Sequence, residues 1–122
     1  MTPIFFNTRD ELIKVDLDKM IYALAEDNYV SMFFRNGQEI VVCMSLQSLE
    51  QLILGVITKD KTGVFTRIGR RYIVNNHYIT QINTLKQQLI LSDLDAVRPI
   101  TLKVSKDALK ALIDTMTETK KQ

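Results

Sequence analysis

The sequence predicts a mainly antiparallel β domain with two short helices. Four predicted strands follow one another, joined by short turns, before the first helical pattern begins near residue 46. Asn36-Gly37, between two of these strands, is a strong signal for a two-residue hairpin. Apolar residues recur at helical spacing in two places, around residues 46–54 and 105–116. A length of 122 residues suits one domain with its own core.

The first half of the chain is expected to form an N-terminal arm, four strands and one helix. Residues 1–13 have mixed composition and supply the arm. The predicted strands cover residues 14–17, 20–25, 28–34 and 39–44. Asn36-Gly37 is expected to form a type I′ turn, which requires positive φ at both positions. Ser45 is a suitable N-cap for a helix over about residues 46–54.

The second half is expected to contain further strands and a second helix. A polar loop at 58–63 precedes the predicted strands, which cover residues 64–68, 72–75, 78–83, 87–91 and 100–104. Pro99 has no amide hydrogen to donate, so it belongs at a strand start or a sheet edge. Ser105 is expected to cap the second helix. The folded domain is expected to span residues 14–116, followed by a frayed polar tail at 117–122.

The composition is that of an ordinary globular protein, with 46% hydrophobic and 25% charged residues. No apolar run approaches the roughly 18 residues needed to span a membrane. The N-terminus also lacks the basic and apolar regions of a secretion signal. Cys43 is the single cysteine, which excludes an internal disulfide, and it is expected to be a buried small hydrophobe. A reducing, cytoplasmic location is therefore expected.

Positive charge is concentrated in the second half of the chain. The net charge is only +2, but residues 1–58 carry 4 Lys/Arg and 8 Asp/Glu, whereas residues 59–122 carry 12 and 6. An asymmetry of this kind is typical of a nucleic-acid-binding face, although solubility alone can also produce it.

The most informative segment runs from Phe65 to Ile79. Arg67, Arg70 and Arg71 lie within five residues there, between apolar residues suited to strands. A guanidinium group is a planar fork of donors that suits phosphates and the edge of guanine. Arginine is also common in solvated hairpin turns, so the residues alone leave a nucleic-acid site and an ordinary turn equally open.

This segment resembles the signature of the LytTR family of DNA-binding domains. The signature consists of a phenylalanine, a short basic turn, an aromatic residue, two aliphatic residues, an asparagine and an aromatic–isoleucine pair. These positions are occupied here by Phe65, Arg67 to Arg71, Tyr72, Ile73-Val74, Asn75 and Tyr78-Ile79. Residues 18–30 resemble the opening strand and loop of the family, and Leu102 to Lys106 resembles its valine-serine-basic end. The likeness covers residues 14–113.

The resemblance implies an elongated stack of small antiparallel sheets that reads DNA with loops in the major groove instead of a recognition helix. It implies a stand-alone, sequence-specific transcriptional regulator without a receiver domain, for which residues 1–13 are too short. The expected partner is double-stranded DNA with paired direct repeats, on which two copies of the chain form a dimer. No membrane, cofactor or small-molecule substrate is expected.

By position, the resemblance also supplies the expected DNA contacts, which are Asn28, Tyr29, Arg67, Arg70, Arg71 and Lys106. Two positions depart from the family. Gly69 stands where histidine is frequent, and Lys106 stands where arginine is usual, so we expect Lys106 to contact phosphate more than bases. The alternatives are an acidic turn with a half-buried Tyr29 and a solvated Lys106.

Other classes of function receive little support from the residues. One histidine and one cysteine cannot form the usual zinc-ligand spacings, and no phosphate-loop pattern occurs among 4 glycines, so neither an enzyme nor a metal site is expected. Asn75 is expected to have a structural role, as a turn former between strands. The main alternative is a protein-interaction module that pairs with another regulator and binds DNA weakly, which Gly69 and the small net charge favour.

Overall fold

The computed structural model describes residues 2–57, 64–92 and 98–118, which form two compact units, Met1–Asn76 and His77–Gln122. The elements of the first unit are β1 (Pro3–Asn7), β2 (Leu12–Asp16), β3 (Met20–Glu26), β4 (Tyr29–Phe34), β5 (Glu39–Val42), α1 (Leu46–Val56), β6 (Phe65–Ile68) and β7 (Tyr72–Asn75). Those of the second unit are β8 (Ile79–Asn83), β9 (Gln88–Leu91), β10 (Ile100–Lys103) and α2 (Lys106–Glu118). Small antiparallel sheets with two helices in the described residues confirm the predicted fold class.

The first unit is built on a five-stranded antiparallel sheet in the order β5-β4-β3-β7-β6. One face of this sheet packs on α1 and on the two-stranded β1–β2 sheet. The buried side chains between them are Ile4, Phe6, Val15, Leu17, Met20, Ala23, Val30, Met32, Phe34, Val42, Leu46, Leu49, Ile53 and Ile73. This core holds the strands that carry the basic segment, since β7 lies inside the sheet and not at its edge.

The N-terminal segment differs from the prediction. The sequence predicts an arm over residues 1–13, whereas the structure has β1 and the beginning of β2 there, paired from Pro3–Asp16 to Asn7–Leu12. Ile4 and Phe6 are each only 3% exposed, because alternate residues of β1 face the core. Burial of these two side chains favours the hairpin over a free arm.

The Asn36-Gly37 hairpin forms, but the prediction of a type I′ turn is wrong. Gly37 has a φ of +87°, whereas Asn36 is not among the residues with positive φ. The Phe34 carbonyl accepts a hydrogen bond from the Gly37 N–H, and the Phe34 N–H donates to the Gln38 carbonyl. The loop is therefore three residues long and ends in a left-handed glycine. Asn36 Oδ1 accepts from the Gln38 N–H at 2.9 Å, which stabilises this longer loop.

The first predicted helix is confirmed and extends to Val56. Ser45 Oγ accepts a hydrogen bond from the Ser48 N–H at 3.1 Å, as an N-cap does. The prediction that Cys43 is buried is wrong, because its side chain is exposed. β5 ends at Val42, one residue before Cys43, and the chain then bends toward α1.

The second unit consists of a three-stranded sheet in the order β10-β9-β8 and of α2. The predicted late hairpin is confirmed, with Leu89 opposite Leu102, and Pro99 directly precedes the edge strand β10. Thr117 lies within α2 and not in a frayed tail. Residues 119–122 and the predicted polar loop at 58–63 lie outside the described residues. In the described part of the chain, no helix has the length and apolar character needed to cross a membrane.

Asn75 has a structural role, but as a buried strand residue that ties β7 to the start of β3 and not as a turn former. Its side chain is 2% exposed, and its Nδ2 donates to the Met20 carbonyl at 3.0 Å. Such a bond across 55 residues fixes one end of the strand pair that carries the basic segment.

We predict that Asn75→Ala lowers the free energy of unfolding by about 1–3 kcal/mol, because the Met20 carbonyl loses this buried donor. Urea denaturation of the variant and of the parent chain measures the change. Asn7→Ala, at an exposed asparagine of β1, is the matched control and should change stability little. Equal stability of the two variants would contradict the structural role of Asn75.

Candidate nucleic-acid interface

Two turns lie side by side at one end of the five-stranded sheet. The first turn (residues 26–29) joins β3 to β4, and the second turn (residues 69–71) joins β6 to β7. β3 and β7 are antiparallel neighbours with Leu24 opposite Tyr72, and the Ala25 N–H donates to the Arg71 carbonyl at 2.7 Å. This pairing brings both connections to the same sheet end, and we call them the paired turns.

The first turn presents polar side chains to solvent. Glu26 pairs with Tyr29 across a two-residue connection, in which Asp27 adopts a φ of +50°. Aspartate tolerates this left-handed conformation better than most residues, because its short side chain can hydrogen-bond locally. Asn28 is exposed and Tyr29 is 52% exposed, so an amide and a phenol are both accessible.

The second turn depends on Gly69. Its φ is +60°, and a Cβ added there would meet no atom within 4 Å, so backbone conformation and not space selects glycine. The Gly69 carbonyl accepts a hydrogen bond from Arg67 Nε at 3.3 Å, which links the turn to β6.

Arg67 is engaged within the first unit. Its Nη1 lies 3.2 Å from Glu50 Oε1 on α1, and the two side chains are 31% and 33% exposed. A partly exposed pair of this kind contributes at most about 1 kcal/mol, because water screens it and two long side chains lose freedom. Arg67 therefore orients the second turn in the free protein. Breaking its ion pair with Glu50 would cost little free energy.

Arg70 and Arg71 are both exposed at the tip of the second turn. The Arg71 guanidinium carbon lies 5.7 Å from the centre of the Tyr72 ring, a cation–π arrangement. No hydrogen bond or ion pair engages the Arg70 side chain within the described ranges. The Arg71 guanidinium is thus supported by the Tyr72 ring, whereas the Arg70 guanidinium is available to a ligand.

The ring below Arg71 belongs to an aromatic row on adjacent strands. Tyr72 and Tyr22 have ring centres 6.4 Å apart, and Tyr22 stacks on Phe33 at 4.6 Å. Burial raises the pKa of the Tyr22 phenol above its ordinary value of 10.0, with smaller contributions from Tyr72 and nearby carboxylates. The phenol therefore stays neutral at physiological pH and adds no charge beside the arginines.

Lys106 belongs to the second unit and is the first residue of α2. Ser105 Oγ accepts a hydrogen bond from the Ala108 N–H at 3.3 Å, which confirms the predicted N-cap. The Lys106 side chain is exposed, next to backbone amides that carry the positive end of the helix dipole.

The structure thus brings together four of the six residues predicted from the sequence. Asn28, Tyr29, Arg70 and Arg71 share the paired turns, Arg67 is tied to α1, and Lys106 lies in the other unit. Sequence analysis missed Glu50, because it lies 17 residues from Arg67 and no local pattern links the two. Within the described ranges, no cluster of three or more His, Cys, Asp or Glu side chains has the geometry of a metal site.

We predict that Gly69→Ala lowers the free energy of unfolding by about 1–2 kcal/mol, since alanine at positive φ is strained. Gly55→Ala is the matched control, because Gly55 lies in α1, lacks positive φ and also has open space at its Cβ. That substitution should instead stabilise the chain by about 0.5–1 kcal/mol. Thermal and urea unfolding measure both changes, and the same sign for both variants would contradict the account of the second turn.

Comparison with known proteins supports the resemblance found in the sequence. The LytTr DNA-binding domain family matches residues 10–117, whereas no curated protein matches the chain. A similar solved structure is the LytTr DNA-binding domain of a protein described as a methyl-accepting/DNA response regulator from Bacillus cereus. It has a TM-score of 0.64 and 24% identity, over 95% of this chain and 97% of that one, a likeness that shows the fold. Because the family match covers most of its length, the chain belongs to the LytTR family of DNA-binding domains.

Proposed function

We propose that this domain is a transcriptional regulator that binds double-stranded DNA sequence-specifically, with the paired turns inserted in the major groove. The observation that supports this most is the meeting of two exposed turns at one sheet end, with two guanidinium groups, one amide and one phenol. Base contacts select a site, and phosphate contacts set the position of the domain on it.

The paired turns carry opposite charges, so we expect them to contact different parts of the DNA. Glu26 and Asp27 are exposed in the first turn and would repel phosphate, so this turn faces base edges, where carboxylates can accept from cytosine. Asn28 suits adenine, which an asparagine amide can bind through two hydrogen bonds. Tyr29 contacts a sugar, a phosphate or a thymine methyl group.

The second turn supplies positive charge. Arg70 contacts guanine or phosphate through its free guanidinium, and Arg71 contacts phosphate with Tyr72 supporting it. Arg67 also contacts the backbone, but Glu50 competes for it, so its loss should matter least among the three arginines. Lys106 contacts phosphate from the start of α2, where helix amides also favour anions.

The proposed mode of action involves two copies of the domain on one DNA duplex. Two copies bind paired direct repeats without forming a stable dimer in solution, and the protein acts in the cytoplasm without catalysis or a cofactor. The folded domain of this proposal includes β1, because Ile4 and Phe6 lie in the core of the first unit.

We predict that Arg70→Ala and Arg71→Ala each weaken binding to the preferred duplex by roughly 5- to 150-fold, the equivalent of about 1–3 kcal/mol. The duplex comes from selection with the purified chain on a random library at near-physiological salt, and fluorescence anisotropy measures affinity. Arg35→Ala is the matched control, because Arg35 lies in the turn that follows the opposite end of β4.

Three results would contradict the proposal in different ways. Equal losses in the Arg35 and Arg70 variants would remove the paired turns as the contact surface. Salt-sensitive binding without an enriched motif would leave a basic surface with no sequence specificity. Complete absence of binding would favour the protein-interaction module.

We also predict a slope of log affinity against log salt of about −3.6, because about four phosphates are neutralised at roughly −0.9 each. The Arg70→Ala/Arg71→Ala double variant should reduce the slope by about 0.9 if Arg70 binds guanine and by about 1.8 if it binds phosphate, since Arg71 loses one phosphate contact in either case. Affinities over a range of salt concentrations measure both slopes. A slope near zero for the parent chain would contradict binding through the backbone.

A further inference from the structure

A groove of about 460 Å³ lies between β1, the end of β5 and α1 in the first unit. Most of its wall is apolar and is formed by Phe5, Phe6, Val42, Met44 and Leu52. Phe5 is 52% exposed and Leu52 is 39% exposed, so both side chains still offer apolar surface that a ligand can cover. Removal of such surface from water is favourable.

One cation lines the same groove. Arg9 lies in the segment of residues 5–9 that forms one wall, and its side chain has no ion pair in the part of the chain that the structure describes. The neighbouring Thr8 hydroxyl is already engaged, because it donates to the Glu11 carbonyl and accepts from the Glu11 N–H. The groove therefore combines an apolar wall with one unpaired guanidinium.

We propose that this groove binds an amphiphilic organic anion, such as a carboxylate on an alkyl chain. The apolar body lies against Phe5, Met44 and Leu52, and the anionic group pairs with Arg9. The volume falls within the range of small-molecule sites, which are mostly apolar with a few polar groups that fix orientation. The positive charge of Arg9 thus favours an anionic group, and the apolar wall favours a ligand whose remaining part is apolar.

The groove lies near the first of the paired turns. Val42 in its wall pairs with Val30, the residue that follows Tyr29 of the first turn. A bound anion adds negative charge next to the strand that carries Tyr29. Ligand binding itself needs no DNA, so it is testable whether or not the proposed function holds.

Titration of the ¹⁵N-labelled 122-residue chain with octanoate tests the site, with amide shifts as the readout. Octanoate should give saturable shifts in residues 5–9, 42–44 and 52. Acetate, which lacks the apolar body, should give none over the same concentrations. The neutral 1-octanol should bind the same residues more weakly.

Matched variants separate the two parts of the site. Leu52→Asp should weaken octanoate binding about tenfold or more, equivalent to about 1.4 kcal/mol, whereas Leu54→Asp should leave it unchanged. Leu54 is also on α1 and is 62% exposed, but it does not line the groove. Arg9→Gln should lower octanoate affinity to that of 1-octanol without changing the affinity for 1-octanol.

Three outcomes would overturn the proposal. The first is an absence of saturable shifts at the groove. The second is equal octanoate affinity in the Leu52→Asp and Leu54→Asp variants. The third is a concentration-dependent dimer that Leu52→Asp dissociates and octanoate does not affect, which would assign the groove to a second copy of the chain.

Discussion

The pairing of β3 with both β4 and β7 is the constraint on which the candidate interface depends. β3 ends at the first turn, and the second turn leads into β7, so their antiparallel pairing brings the two turns together. The strand pair is held near both ends, by the Ala25–Arg71 backbone bond at the turns and by Asn75 Nδ2 on the Met20 carbonyl. A shift of β7 by one residue relative to β3 would turn every β7 side chain to the other face of the sheet. Packing of the core therefore fixes the register of this strand pair as well as stabilising the fold.

The same framework explains why the three arginines of the basic segment differ. Arg67 lies within β6, where α1 brings Glu50 into reach and the Gly69 carbonyl accepts from Nε. Arg70 and Arg71 lie beyond the strand, where the chain turns with Gly69 in a left-handed conformation. One arginine therefore shapes the turn, and the other two are presented by it. The glycine that departs from the family pattern supports a defined turn, with Arg67 holding its carbonyl.

Local patterns predicted much of this fold, and nonlocal pairing explains the rest. The caps at Ser45 and Ser105 and the helical spacing of α1 follow from nearby residues and were found. A structural role for Asn75 was also predicted, but its partner Met20 lies 55 residues away, so no local pattern could reveal it. β1 was missed because its alternation covers five residues and its partner strand is separated by a loop. Cys43 was wrongly predicted to be buried because strand propensity does not indicate where β5 ends. The type I′ turn was wrongly predicted because the Asn36 side chain stabilises a longer loop. For the interface, the sequence supplied the residue types, but only strand order reveals that the two turns meet.

Amide shift mapping of the ¹⁵N-labelled chain with its selected duplex tests the central claim most directly. The account predicts that the largest shifts occur together in residues 26–29 and 69–71, while the turn at 35–38 stays unchanged. Shifts concentrated at residues 35–38, or in only one of the paired turns, would contradict the claim that both turns form one DNA-binding surface.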